Sequence, residues 1–224
     1  MMTTHVRTRT IVGLMVIAAA GGQAGCSSQV PATNTLSLNR HETEGWELRG
    51  RDADLYRFDT DDNVARGGTP SSTLLSTQAS PEQFALMAQS VDASPYRTSR
   101  VRFSGYLKSL DVQKRAFLWL RVDSETTIAL AFDDMHLRPL SGTTRWDVYE
   151  VLLDVPEHAS FIHMGAGLIG PGQTWLSDAL LEIVDEKFPS TDRGLEPIST
   201  GENAEDRFWV GALELSNAEP STGP

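Results

Sequence analysis

Apolar and polar residues alternate with a period of two along much of the chain. In Arg115–Asp123 (RAFLWLRVD), Leu118, Leu120 and Val122 point one way and Phe117, Trp119, Arg121 and Asp123 the other. Nine residues of this kind predict a β-strand with one apolar face and one aromatic, charged face. Ser99–Ser109 repeats the pattern, with Val101, Phe103, Gly105 and Leu107 opposing Arg100, Arg102, Ser104, Tyr106 and Lys108. Further strands are expected at Leu55–Asp59, Thr73–Thr77, Thr127–Phe132, Val148–Val155, Ser160–Leu168 and Thr174–Val184. Asp61–Pro70 reads as a polar turn region, and a Gly142-Thr143-Thr144 turn precedes Trp146. Pro81–Gln89 fits either one or two helical turns or a bulged strand. Short strands at short intervals predict an all-β fold, a jelly-roll β-sandwich, and the lack of 3.6-period segments excludes helix-alternating folds.

The first 25 residues follow another pattern. Met1–Thr10 carries Arg7 and Arg9 and no acid, Ile11–Ala20 is apolar, and Gly21–Gly25 is small apart from Gln23. That is the layout of a secretory signal peptide, with an apolar run shorter than the ~20 residues a bilayer span needs. Cys26, the only cysteine, follows Ala24-Gly25 directly. The arrangement resembles the lipobox of bacterial lipoproteins, with Gln23 standing where Leu or Val is usual. The resemblance implies lipidation of Cys26 and a membrane-anchored protein of the cell envelope. Ser27 after the cysteine, rather than Asp, favours the outer membrane in a host with two membranes. A lone cysteine forms no intrachain disulfide.

Residues 26–43 then read as the lipidated cysteine and a flexible tether, and residues 44–188 as the sandwich. Residues 189–224 read as an acidic, mostly disordered tail with an apolar island at 207–215. The island either docks on its own domain, as an edge strand or short helix, or engages a partner. The 224 residues suffice for one domain with a real core. A net charge of −11, deepened by loss of Arg7 and Arg9 with the leader, repels phosphate backbones, so no nucleic acid is expected as a partner.

The run from Ser94 to Val184 resembles a bacterial jelly-roll module of the galactose-binding-like and carbohydrate-binding-module sandwiches. Val101-Arg102-Phe103-Ser104-Gly105-Tyr106, Leu118-Trp119-Leu120-Arg121-Val122-Asp123, Phe132-Asp133-Asp134-Met135 and Gly172-Gln173-Thr174-Trp175 carry the resemblance. Such modules occur alone in secreted proteins, or fused to hydrolase-like domains and helix-turn-helix regulators. Many carbohydrate-binding relatives open with an Asn-Leu-Asp-Phe-Glu strand that helps build a structural calcium site. Here that region reads Asn39-Arg40-His41-Glu42, and Trp175-Leu176-Ser177-Asp178 keeps one of two usual acids. Calcium takes six to eight oxygens, and this is a partial set, so a structural calcium ion is left open as an alternative and the expectation is no cofactor.

Enzyme signatures are absent: the chain has no GxSxG, Walker A or HExxH sequence. Gly165–Gly170 spells GxGxxG, but Pro171-Gly172 and a strand follow where a dinucleotide site needs a helix N-terminus. The five histidines show no metal-ligand spacing. His163, on the non-core side of its strand, reads as a surface or hydrogen-bonding residue, and Asp133-Asp134 as a turn cap before Met135. Asp123 and Glu150 would form the best acid–base pair if they shared a cleft. Sugar binding combines flat rings with planar charged groups. If the strands 99–109 and 115–123 pair, Arg102, Tyr106, Trp119 and Arg121 share a patch, with Glu150 beside it. The alternative is that the Trp119 face is covered by 81–89 or by the C-terminal island. The expectation is a non-catalytic site for a saccharide or small polar ligand, with an envelope protein as the alternative partner and a jelly-roll glycoside hydrolase as a third reading.

Overall fold

The computed structural model describes residues 35–37, 45–76 and 78–217. The expected signal peptide, Cys26 and most of the expected tether lie outside them. Twelve strands and one α-helix are formed among the described residues: β1 (Thr35–Ser37), β2 (Trp46–Arg49), β3 (Tyr56–Arg66), β4 (Thr69–Ser76), β5 (Phe84–Asp92), β6 (Arg100–Asp123), β7 (Thr127–Ile128), β8 (Ala131–Asp133), β9 (Leu140–Asp154), β10 (Phe161–Ile169), β11 (Gln173–Val184), β12 (Ile198–Ser199) and α1 (Ala204–Asn217). All ladders are antiparallel.

β6 is the spine. The two alternating stretches do not pair with each other, as they would have to if Arg102, Tyr106, Trp119 and Arg121 shared a patch. They are the halves of one 24-residue strand. Its first half pairs with β11 and β9, and its second half with β10 and β8. Residues 170–172 join β10 to β11 end to end along β6, so this connection turns the corner together with the bend of β6. The Gln113 N–H donates to the Pro171 carbonyl at 2.9 Å there. Gly172 has φ +135°, and a Cβ on it would sit 2.6 Å from the Val112 Cα, so the corner needs glycine for conformation and closeness alike.

One half of the curled sheet holds β2, β5, β10, the end of β6 and β8; the other holds β9, the start of β6, β11, β4 and β3. The core lies between them. Val101, Phe103 and Leu107 of the first half of β6 join Leu118, Leu120 and Val122 of the second half in a single buried cluster. The alternation read along both stretches therefore holds, with one addition. Every residue from Arg115 to Asp123 is buried, because the aromatic, charged face is covered as well.

Other boundaries shift. Pro81–Gln89 contributes to β5 rather than to a helix, its Phe84–Met87 run being buried on both faces. β3 extends to Arg66, leaving Gly67-Gly68 as the turn. The Gly-Thr-Thr stretch lies inside β9, where the register against β6 shifts repeatedly. Within the tail expected from residue 189, the stretch up to residue 214 is hydrogen-bonded to or docked on the sandwich, and residues 218–224 lie outside the described residues. The Thr191 and Arg193 N–H groups donate to the Leu152 and Phe132 carbonyls, each at 2.8 Å. β12 pairs with β7, and α1 lies against the sheet. The helix forms because Ala204, Phe208, Trp209, Ala212 and Leu213 fall on one face, with Glu205 and Asp206 in the first turn where the helix dipole favours acids. No helix among the described residues is long and apolar enough to cross a membrane.

Candidate functional site

The strand register arranges the outer face of β5, β10, β6 and β8 in rows. Ser90, His163, Arg121 and Phe132 form one row; Ala88, Gly165 and Trp119 the next; then Leu86, Gly167 and Phe117; then Phe84, Ile169 and Arg115. The glycines admit the rings. A Cβ on Gly167 would meet the Phe117 ring at 2.3 Å, and one on Gly165 the Met87 carbonyl at 1.9 Å. The GxGxxG sequence thus serves close packing within β10.

α1 covers this face. Trp209, 1% exposed, meets Trp119 and Phe132 edge-on at centroid distances of 5.2 and 5.3 Å, and Phe84 at 6.2 Å. Phe208 packs edge-on against Phe132 at 4.9 Å. Trp119 is itself 1% exposed. Of the two alternatives for its face, the covered one is what the structure has, and the cover is the C-terminal island.

Charges are buried beneath the helix. Arg121, 1% exposed, donates to Asp123 at 2.8–3.1 Å, and to Glu205 of α1 through Nη1 at 3.0 Å and Nη2 at 2.7 Å. The Glu205 carboxylate also accepts from the Trp209 indole N–H at 3.2 Å. Asp123 accepts from the Ala129 N–H and lies 3.2 Å from His163 Nε2, whose Nδ1 is hydrogen-bonded to Ser90. His163 is thus the hydrogen-bonding residue expected. Burial alone would lower the Arg121 pKa, but the charges of Asp123 and Glu205 outweigh it and leave the value raised. Burial likewise pushes Asp123 up, and the His163 hydrogen bond and the Arg121 charge reverse that, holding it below the usual carboxylate range. For Glu205, bonding to Arg121 overcomes burial in the same way.

A second buried network sits at the other end of the face. Asp134, 0% exposed, accepts from Arg115 at 2.8 Å and Arg193 at 2.9 Å. Arg193 also donates to the Ala212 carbonyl of α1 at 3.2 Å. Asp133 accepts from Arg138 and from the Met135 N–H, which makes it the turn cap expected. Asp133, Asp134 and His136 stand close enough to share a cation. Three guanidinium groups already satisfy the two carboxylates, and a cation would have to displace them, so the residues do not fit a metal.

Three polar atoms on this face have no partner: Trp119 Nε1 and Arg115 Nε and Nη1 are buried without an acceptor. Beside the C-terminal half of α1 opens a cleft of about 270 Å³, lined by Arg51, Glu82, Phe84, Val210, Leu213 and Glu214.

The remaining predicted site residues lie on the outer face of the other half of the sheet. Arg102 pairs with Glu182 at 2.8 Å and Glu150 at 3.4 Å. Tyr106 lies under the Arg66 guanidinium, 3.1 Å from its ring centroid, and Arg66 pairs with Asp178. Glu150 faces Ser104 in the first half of β6, whereas Asp123 ends the second half, so the two acids share no cleft. The predicted set is two sites, Arg102–Tyr106–Glu150 and Trp119–Arg121. Glu205, Trp209, Phe132, Arg115, Asp134 and Arg193 join the second and were missed. A helical spacing starting at Ala204 signals Glu205 and Trp209, but an island bounded at Arg207 hides it.

No known protein family matches the sequence. The chain is 40% identical over 157 residues to the uncharacterized HTH-type transcriptional regulator YbfP of Bacillus subtilis (strain 168). The match covers 70% of this chain and 53% of that protein, so the chain spans about half the regulator's length. Among solved structures, the enzymatically active domain of tailspike protein 4 from bacteriophage CBA120 superposes with a TM-score of 0.53 at 11% identity, covering 66% of this chain and 21% of that one. The CBM22-1 xylan-binding domain of Xyn10C from Paenibacillus barcinonensis has a TM-score of 0.47 at 15% identity, covering 67% of this chain and 93% of that one. At such identities likeness speaks to fold alone, and the fold is an all-β jelly-roll sandwich with one covering helix.

Proposed function

We propose that this chain is a non-catalytic ligand-binding β-sandwich for a saccharide or another small polar ligand, held at the cell envelope by a lipid on Cys26. The outer membrane is its place in a host with two membranes. The observation that carries the binding role is the face of β5, β10, β6 and β8. It joins Phe84, Phe117, Trp119 and Phe132 to Arg115 and Arg121, with buried N–H donors that no protein group accepts. Rings for the apolar side of a sugar and donors for its oxygens are what such recognition uses.

The carboxylates support a binding role over hydrolysis. Asp123 and Glu205 are tied to Arg121, with pKa values held down, which leaves neither as a proton donor near neutral pH. The regulator relative supports a recognition role too. A shared stretch of 157 residues necessarily includes much of the sandwich. An acidic sandwich suits a part of such a regulator other than the one that reads DNA.

The test is affinity electrophoresis of the chain against a panel of neutral and acidic glycans, beside Trp119→Phe, which keeps an aromatic ring but loses the N–H. Retardation of the wild type, weakened in the variant, is the expected outcome. No retardation on any glycan, together with an envelope protein captured by cross-linking, would replace this reading with a protein-interaction role.

A further inference from the structure

α1 covers this face without satisfying all of its donors. Near its start, Glu205 meets the Arg121 guanidinium with both oxygens, and Trp209 lies against Trp119. Further along, the Ala212 carbonyl accepts from Arg193, while Val210 and Leu213 present apolar side chains. Among the described residues six buried side-chain atoms lack partners, and three of them, on Trp119 and Arg115, belong to this face. Buried donors are ordinarily satisfied, so an orphaned set under one element indicates an occupant that is not the best one.

We infer that α1 is an intrachain stand-in for the ligand, an acidic oligosaccharide, which binds by displacing the helix. This rests on the reading that the covered face is the binding site. A uronate carboxylate takes the place of Glu205 on Arg121, and a pyranose ring takes the place of Trp209 on Trp119. Sugar oxygens then supply the acceptors that Trp119 Nε1 and Arg115 lack. A saccharide carries ring and hydroxyl oxygens along its whole length, whereas a helix supplies acceptors only where its side chains happen to provide them, which is why a saccharide is favoured over such a partner. Arg115 and Arg121 lie six residues apart on one strand, a span of about 20 Å, which suits an oligomer. The turn that precedes the helix, where Gly201 and Asn203 have positive φ and both are exposed, is where a displaced helix would hinge.

The test uses the full chain, with oligogalacturonate and oligoglucuronate as probes and the methyl-esterified oligogalacturonate as the neutral comparison. Titration calorimetry measures affinity, and amide exchange reports on residues 204–214. The expected result is binding of an acidic probe, weaker binding of the ester, and severalfold faster exchange in α1 when the probe is present. Glu205→Gln, which frees Arg121 at a partly exposed position, should bind about tenfold tighter, a shift readily measured. Trp209→Ala should act in the same direction if it folds, and Glu205→Gln decides the matter if it does not. Binding with α1 exchange unchanged or slowed overturns displacement and leaves the binding face standing, provided Trp119→Phe still weakens the affinity. Equal binding of the ester overturns the acidic class. Displacement of α1 by an added 204–217 peptide but by no saccharide assigns the face to a helical partner and overturns the inference. No binding of any probe by wild type or either variant overturns the inference, and the binding reading falls with it only if the wider glycan panel shows no retardation.

Discussion

At the scale of single residues, Asp134 is the most exposed to consequence because it is the least exposed to water. It neutralises Arg115 and Arg193 in a place with no solvent, and Arg193 in turn holds a carbonyl of α1. Asp134→Asn leaves two buried guanidinium groups without their shared counter-charge. The expected loss is about 3–5 kcal/mol, measured by urea denaturation at neutral pH. Glu205 is the milder case. Its side chain is 41% exposed and Arg121 keeps Asp123, so Glu205→Gln should cost only about 1 kcal/mol, which keeps the variant folded for binding work.

The elements show two contrasting uses of glycine. In β10, Gly165 sits where a Cβ would strike the Met87 backbone carbonyl, so Gly165→Ala must pry β5 from β10. A loss of about 3 kcal/mol is expected, seen as a lower urea midpoint. In α1, Gly211 has nothing within reach of a new Cβ. Gly211→Ala should therefore raise stability by up to about 1 kcal/mol through helix propensity. If α1 competes with ligand, the same change weakens binding. The strands themselves were legible because a half-buried strand writes its two faces into alternate residues, as in Val101, Phe103 and Leu107. α1 was less legible. Its apolar positions begin at Ala204, inside a stretch whose acids and turn residues resemble a solvated tail.

Across the whole molecule, buried carboxylates set the response to acid. Asp123 and Glu205 have ordinary pKa values of 3.8 and 4.5 and are held lower in the folded chain. Each binds its proton less readily folded than unfolded. The stability they add is therefore complete above the ordinary values and is lost as pH falls through the depressed ones. The thermal midpoint should stay level from pH 7 to about 5 and fall below about 4, with a shallower fall in Glu205→Gln. A midpoint that drops between pH 7 and 6 instead would place the sensitivity on a histidine.

The amino-acid sequence by itself determined the all-β class and the inward faces of the long strands. These depend on periodicity and on local backbone conformation, which neighbouring residues carry. Only the tertiary structure decided that residues 99–109 and 115–123 are one strand bent between two halves of a sheet. That parted Arg102, Tyr106 and Glu150 from Trp119 and Arg121. It also decided that the aromatic, charged face is roofed by a helix some 90 residues further on, through the Arg121–Glu205 pair and the Trp119–Trp209 contact. The physical reason is the same in both cases. An alternating strand announces that it has two faces, but what covers each face is settled by long-range pairing and packing that no local pattern encodes.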